Sequence, residues 1–85
     1  MNKIEIYTTP LCIFCSRAKS LLNAKGMDYK EINVSTHPGK RQEMIERANA
    51  KSVPQIFANG QHIGDCDRIY ALDAIGKLDA ALGII

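Results

Sequence analysis

The opening stretch of the chain does most to dictate the fold. Lys3 to Thr8 (KIEIYT) sets apolar Ile4 and Ile6 in the two-residue alternation of a strand. From Ile13 the period lengthens. Ala18, Leu21 and Leu22 recur at helical spacing among Ser16, Arg17, Lys19 and Ser20, and Gly26 supplies a stop. Asp28 to Val34 (DYKEINV) returns to strand-like alternation, with Tyr29, Glu31 and Asn33 opposed to Ile32 and Val34. A strand, a helix and a second strand in direct succession call for parallel strands joined by a right-handed crossover.

The remainder adds to that unit. Thr36-His37-Pro38-Gly39 punctuates the chain and opens a second helix, in which Met44, Ile45 and Ala48 share one face up to Asn49. Ser52-Val53-Pro54 leads into a third strand over Gln55 to Ala58. Asn59-Gly60 is a two-residue hairpin signal, which makes Gln61 to Gly64 a returning, antiparallel fourth strand. A last helix is expected from about Asp67 to Leu82, with a break near Gly76, where glycine costs about 1 kcal/mol relative to alanine. The order β-α-β-α-β-β-α describes an α/β domain: a mixed four-stranded sheet with about three flanking helices.

Composition narrows the function classes. Eighty-five residues without internal repeat or linker make one domain, residues 1–85. At 46% hydrophobic the chain is too apolar to be disordered. A net charge of +2, scattered along the sequence, is too weak for a nucleic-acid partner but suits a small anionic ligand. The N-terminal MNKIEIYTTP lacks a signal-peptide core, and no apolar run approaches the roughly 18 residues of a membrane span. The expectation is a cytoplasmic protein without membrane association, whose thiols stay mostly reduced. Three cysteines, an odd number, argue against a structural disulfide framework.

Two of those cysteines, Cys12 and Cys15, fall three apart where the first strand gives way to the first helix. The first amides of a helix have no internal partners and carry the positive end of its dipole. A thiolate there gains hydrogen bonds and electrostatic stabilisation, so its pKa is expected below the free value of about 8.5. Residues i and i+3 share a helix face. Cys12 therefore reads as a nucleophile and Cys15 as a resolving thiol. Two rival readings exist. The pair could be small buried hydrophobes, or Cys12, Cys15, His62 and Cys66 could form a tetrahedral zinc site, although the paired short spacing on both sides of a zinc ribbon is missing. A strand histidine such as His62 is more often solvated.

Taken together, EIYTTPLCIFCSRAKSLL, SVPQIFANGQHIG and GDCDRIYALDAIGKLDAAL resemble, in order, the active-site, cis-proline and closing segments of a glutaredoxin on the thioredoxin fold. The resemblance covers nearly the whole chain. It implies a glutathione-dependent thiol–disulfide oxidoreductase, a monomer acting on glutathionylated or disulfide-containing proteins. It also implies a cis peptide at Pro54, with the Val53 N–H and C=O turned outward to pair with the cysteinyl backbone of glutathione as an added strand would. The Cys66 and Asp67 amides would bind the γ-glutamyl carboxylate, and the Asp67 side chain its ammonium. Lys51 and Arg41 would meet the glycine carboxylate, and Phe14 would flank the sulfur. Cys66 reads as a packed small residue rather than a regulatory thiol, and His37 as a loop residue.

The sequence departs from the family pattern in three places. Ile13 stands where proline is common and Phe14 where tyrosine is. Loss of that proline is associated in the family with a [2Fe–2S] cluster held between two subunits by the first cysteine and glutathione, so a cluster carrier is the alternative function. Thr9 replaces a frequent lysine, which Lys51 and Arg41 would have to offset. Asp65 stands where a second glycine is usual, and Arg68 where an acid is. Asp65 must then accept that turn's backbone, which aspartate does better than most residues.

Overall fold

The computed structural model describes residues 3–84. Its elements run β1 (Ile4–Thr8), α1 (Ile13–Ala24), β2 (Lys30–Asn33), α2 (Lys40–Ala48), β3 (Gln55–Ala58), β4 (Gln61–Gly64), α3 (Cys66–Ala74) and α4 (Leu78–Leu82). The sheet order is β2-β1-β3-β4, with β1 parallel to β2 and antiparallel to β3, and β3 antiparallel to β4. This is the mixed four-stranded sheet that the pattern of periods calls for.

All five residues of β1 are buried, because helices cover both faces of the sheet. Ile4 and Ile6, with Ile56 and Ala58 of β3, face α1, α3 and α4, where Ala18, Leu21, Leu22, Ile69, Leu78 and Leu82 complete the larger core. The alternate residues Tyr7 and Phe57 face α2, against Ile32, Val34, Met44 and Ala48. A slip of one residue in β1 would exchange these two sets.

The α2 side also carries a polar network. The Tyr7 hydroxyl donates to Glu43 Oε2. Arg47 donates to the Tyr7 hydroxyl at 2.8 Å and to Glu5 Oε1 at 3.1 Å. The Arg47 guanidinium also lies 4.0 Å from the Phe57 ring centroid. Glu5, on a buried central strand, is thereby paired rather than stranded, which is the condition for burying a carboxylate.

The last helix breaks at the expected glycine, whereas β2 is shorter than the Asp28–Val34 alternation and α3 starts ahead of Asp67. The last helix is split: Gly76 takes φ +73°, and α4 resumes at Leu78, giving four helices among the described residues. Lys25, capping α1, bridges the two pieces through Asp73 at 2.7 Å and Asp79 at 2.9 Å. In addition, α3 starts at Cys66, one residue ahead of Asp67, because Asp65 is its N-cap.

Candidate active site

Pro10 ends β1's run, and Leu11 turns the chain through a left-handed conformation at φ +57°. Cys12 follows in an extended conformation as the N-cap of α1. Its Sγ accepts the Cys15 N–H at 3.2 Å, and its carbonyl accepts the Ser16 N–H at 3.1 Å. The sulfur thus occupies the place a serine or aspartate oxygen takes in an ordinary helix cap, where backbone N–H groups and the helix dipole favour negative charge.

The three thiols are all free and differ sharply in access. Cys12 is half-buried, whereas Cys15 is 1% exposed and Cys66 4% exposed. Burial, then the hydrogen bond with Cys12, pushes the Cys15 thiol up to about 12, against the opposing pull of the Thr9 backbone and Lys19. Burial and the neighbouring Asp67 likewise raise the Cys66 thiol, with Arg17 pulling the other way. Cys66 belongs to the larger core, in keeping with its reading as a packed residue.

The Val53–Pro54 peptide is cis. Among the described residues the Val53 N–H and C=O take no backbone hydrogen bond. A groove runs between this loop and the starts of α1 and α3, lined by Phe14, Ser52, Val53, Pro54, Asp65, Cys66 and Asp67. The fold thus gathers five residues singled out in the sequence, Phe14, Val53, Pro54, Cys66 and Asp67, beside the helix that Cys12 caps. Arg41 and Lys51 are exposed and do not line the groove. The Arg41 Nη1 instead donates to the Lys51 carbonyl at 3.2 Å, tying the first turn of α2 to the loop ahead of Ser52.

The structure corrects the view of Asp65. Its φ is −99°, extended backbone that any residue adopts, and its carboxylate accepts the Arg68 N–H at 2.9 Å. The left-handed position is Gly64, at φ +143°, where a Cβ would lie 2.4 Å from the Arg68 side chain. Asp65 stands at this position as a helix cap. An acid three residues ahead of a helical amide is a cap signal legible in the sequence. Ser52 entered the groove without any such signal, being placed by its neighbour Val53.

His62 is exposed on β4, as expected of a strand histidine, and it also has side-chain partners. Its Nε2 lies 2.7 Å from Gln55 Oε1, and its ring packs 5.0 Å from that of Phe57, on the α2 side of the sheet. Burial lowers its pKa, with Asp65 pulling upward. The four residues considered as zinc ligands are not brought together. Among the described residues no group of three or more His, Cys, Asp or Glu side chains is arranged to hold a metal ion. His37 lies in the loop after β2, its Nδ1 at 3.0 Å from Thr36 Oγ1 and 3.1 Å from the Asn33 carbonyl.

A Cys-X-X-Cys pair whose first sulfur caps the helix after the first strand, beside a groove walled by a cis-proline on a four-stranded mixed sheet, defines a thiol–disulfide oxidoreductase of thioredoxin-like fold. The comparisons narrow the class. The Glutaredoxin family model matches residues 4–63. The chain is 50% identical over 82 residues to glutaredoxin 3 of Escherichia coli (strain K12), covering 96% of this chain and 99% of that protein. The solution structure of glutaredoxin from Brucella melitensis superposes with a TM-score of 0.82 at 48% identity, over 94% of this chain and 87% of that one. The crystal structure of the buckwheat glutaredoxin–glutathione complex superposes with a TM-score of 0.86 at 28% identity, over 98% of this chain and 78% of that one. The chain belongs to the glutaredoxin family.

Proposed function

We propose that this glutaredoxin reduces protein–glutathione mixed disulfides, with Cys12 as the nucleophile and glutathione as the reductant. The observation that carries the reading is the pairing of one accessible thiol, at a helix N-terminus, with an open groove whose wall offers an unpaired peptide backbone. Glutathione is a tripeptide with two carboxylates and one ammonium. The Val53 N–H and C=O would pair with its cysteinyl backbone. The Cys66 and Asp67 amides, at the start of α3, would take the γ-glutamyl carboxylate, and the Asp67 carboxylate its ammonium. Asp65 also lines that end of the groove. Arg41 and Lys51, held together at the outer end, would meet the glycine carboxylate from beyond the groove wall.

The Cys12 thiolate would attack the glutathionyl sulfur. A Cys12–glutathione disulfide forms, the original disulfide breaks, and the protein sulfur leaves as thiolate and takes a proton from solvent. A second glutathione thiolate then attacks the sulfur of the bound glutathione. It leaves as oxidised glutathione and returns Cys12 to the thiolate, so one free glutathione thiol has entered the new disulfide for the one protein thiol released. In the alternative branch Cys15 displaces glutathione from Cys12 and closes an intramolecular disulfide. Burial of Cys15 and its raised pKa make this the slower branch. Turnover of a glutathione mixed disulfide with glutathione, glutathione reductase and NADPH tests the reading. Rapid oxidation of NADPH that requires Cys12 supports it, and a folded, reduced protein without turnover refutes it.

The absence of proline at Ile13 favours the cluster-carrier reading. The residues of one chain do not hold a cluster by themselves, since Cys12 is the only accessible thiol and no group of three ligands is gathered among the described residues. A [2Fe–2S] cluster would take its other ligands from a second chain and from glutathione. Anaerobic reconstitution with iron, sulfide and glutathione discriminates: a coloured dimer supports this reading and a colourless monomer removes it.

A further inference from the structure

Three large apolar side chains stand in solvent around the nucleophile. Leu11 is 104% exposed, Ile13 74% and Phe14 52%. They flank Cys12 on both sides, within the uncharged run TTPLCIF over residues 8–14. Leu11 holds its exposed position from a left-handed backbone at φ +57°. That conformation disfavours a residue of its size and normally selects glycine, asparagine or aspartate. Strained backbone carrying an exposed apolar side chain next to the reacting atom points to a surface built for contact.

We infer that Leu11 and Ile13 form a docking collar for the polypeptide half of the substrate, selecting glutathionylated cysteines flanked by apolar residues. The inference rests on the glutathione-dependent reading above and names its substrate class. Its geometry follows from the groove. Phe14 lines the groove proposed for glutathione, whereas Leu11 and Ile13 lie outside it, so the tripeptide leaves them uncovered. The protein sulfur that departs when Cys12 attacks must come within a few ångströms of Cys12, so residues next to that cysteine land on the collar. No charge in residues 8–14 rewards an acidic or basic flank. Apolar flanks gain from removing both surfaces from water.

The test compares three glutathione mixed disulfides: one with 2-mercaptoethanol, one with a short uncharged peptide whose cysteine is flanked by leucine and valine, and one with the same peptide flanked by serine and asparagine. Wild type and the double variant Leu11→Asn, Ile13→Gln are assayed. Asparagine suits the left-handed backbone and glutamine the first helical position. In wild type, kcat/KM for the apolar peptide is expected about tenfold above that for the polar peptide, which corresponds to about 1.4 kcal/mol. In the variant that ratio falls to about one, while kcat/KM for the 2-mercaptoethanol disulfide stays within about twofold, as expected where only remote binding contacts are lost. Wild type that turns over all three substrates without preference overturns the collar and leaves the glutathione reading standing. A variant that loses all three alike assigns Leu11 and Ile13 a structural role instead. A dimer in sedimentation at assay concentration that the variant dissolves assigns the collar to a second copy of this chain. Wild type inactive on every substrate overturns the glutathione reading, and the inference with it.

Discussion

The starts of α1 and α3 use one backbone device for two purposes. Each begins from an extended residue whose side chain accepts the amide three residues on: Cys12 Sγ from Cys15 at 3.2 Å, and Asp65 Oδ1 from Arg68 at 2.9 Å. At α3 the cap is a carboxylate, a group suited to the helix dipole. At α1 the cap is sulfur, a weak acceptor that can leave the cap to bond another sulfur. A third thiol sharpens the contrast. Cys66 sits one residue inside its helix, and that single step carries it from the capping position into the core. Position relative to the cap, rather than the residue type, separates the accessible cysteine from the buried one.

The strongest way to break this comparison is to remove the reacting cap. Cys12→Ser keeps a capping oxygen and is expected to lower kcat/KM for a glutathione mixed disulfide by at least about a thousandfold. Cys15→Ser leaves the glutathione branch open and is expected to stay within roughly threefold of wild type. Equal losses in the two variants would contradict the assignment of roles.

Alkylation of the reduced protein with limiting iodoacetamide at pH 7, read by peptide mapping, comes next. Burial and the hydrogen bond with Cys12 push the Cys15 thiol well above its ordinary value, so little of it is thiolate at that pH. The expected label is on Cys12, with Cys15 and Cys66 slower by at least about a hundredfold. Comparable labelling of Cys66 would remove the distinction between cap and core.

Asp65→Asn probes the other helix. Asparagine keeps the cap and removes a negative charge from the end of the groove assigned to the γ-glutamyl carboxylate. The KM for glutathione is expected to fall about two- to fivefold, the size of one charge at a helix terminus. An unchanged or higher KM would detach that carboxylate from α3.

The smallest effect is at His62. Its folded pKa lies below its ordinary value, through partial desolvation that outweighs the upward pull of Asp65. Its contribution to stability is full above the unfolded value of about 6.5 and is lost as pH falls through the lower folded pKa. The thermal midpoint of wild type is expected to drop on acidification from pH 7 to 5 by more than that of His62→Gln. Parallel curves would show that folding does not lower the His62 pKa.

Local features made much of this fold legible. The alternation in β1 assigned its two faces, and Asn59-Gly60, with φ of +52° and +84°, set the hairpin. Glycine at position 76 marked the break between the last two helices, and Cys12 fell at the cap because a strand-to-helix change surrounds it. What stayed hidden depends on partners distant in sequence. Nothing near Glu5 announces Arg47, 42 residues away, and a buried acid in a strand reads simply as polar. Arg41 was read as a cation for the glycine carboxylate, and nothing near it in sequence announces its bond to the Lys51 carbonyl, ten residues on. Asp65 was misjudged because comparison with a glycine suggested a special backbone, whereas the neighbouring Gly64 takes that conformation and leaves Asp65 to cap.

The most direct test of the account is the site at which glutathione becomes attached. The Cys15→Ser protein, reduced and then exposed to oxidised glutathione, is analysed by intact mass and peptide mapping. One glutathione on Cys12 and none on Cys66 is the predicted result, since only the capping sulfur is accessible. A folded protein that carries its glutathione on Cys66, or gains none at Cys12, would contradict it.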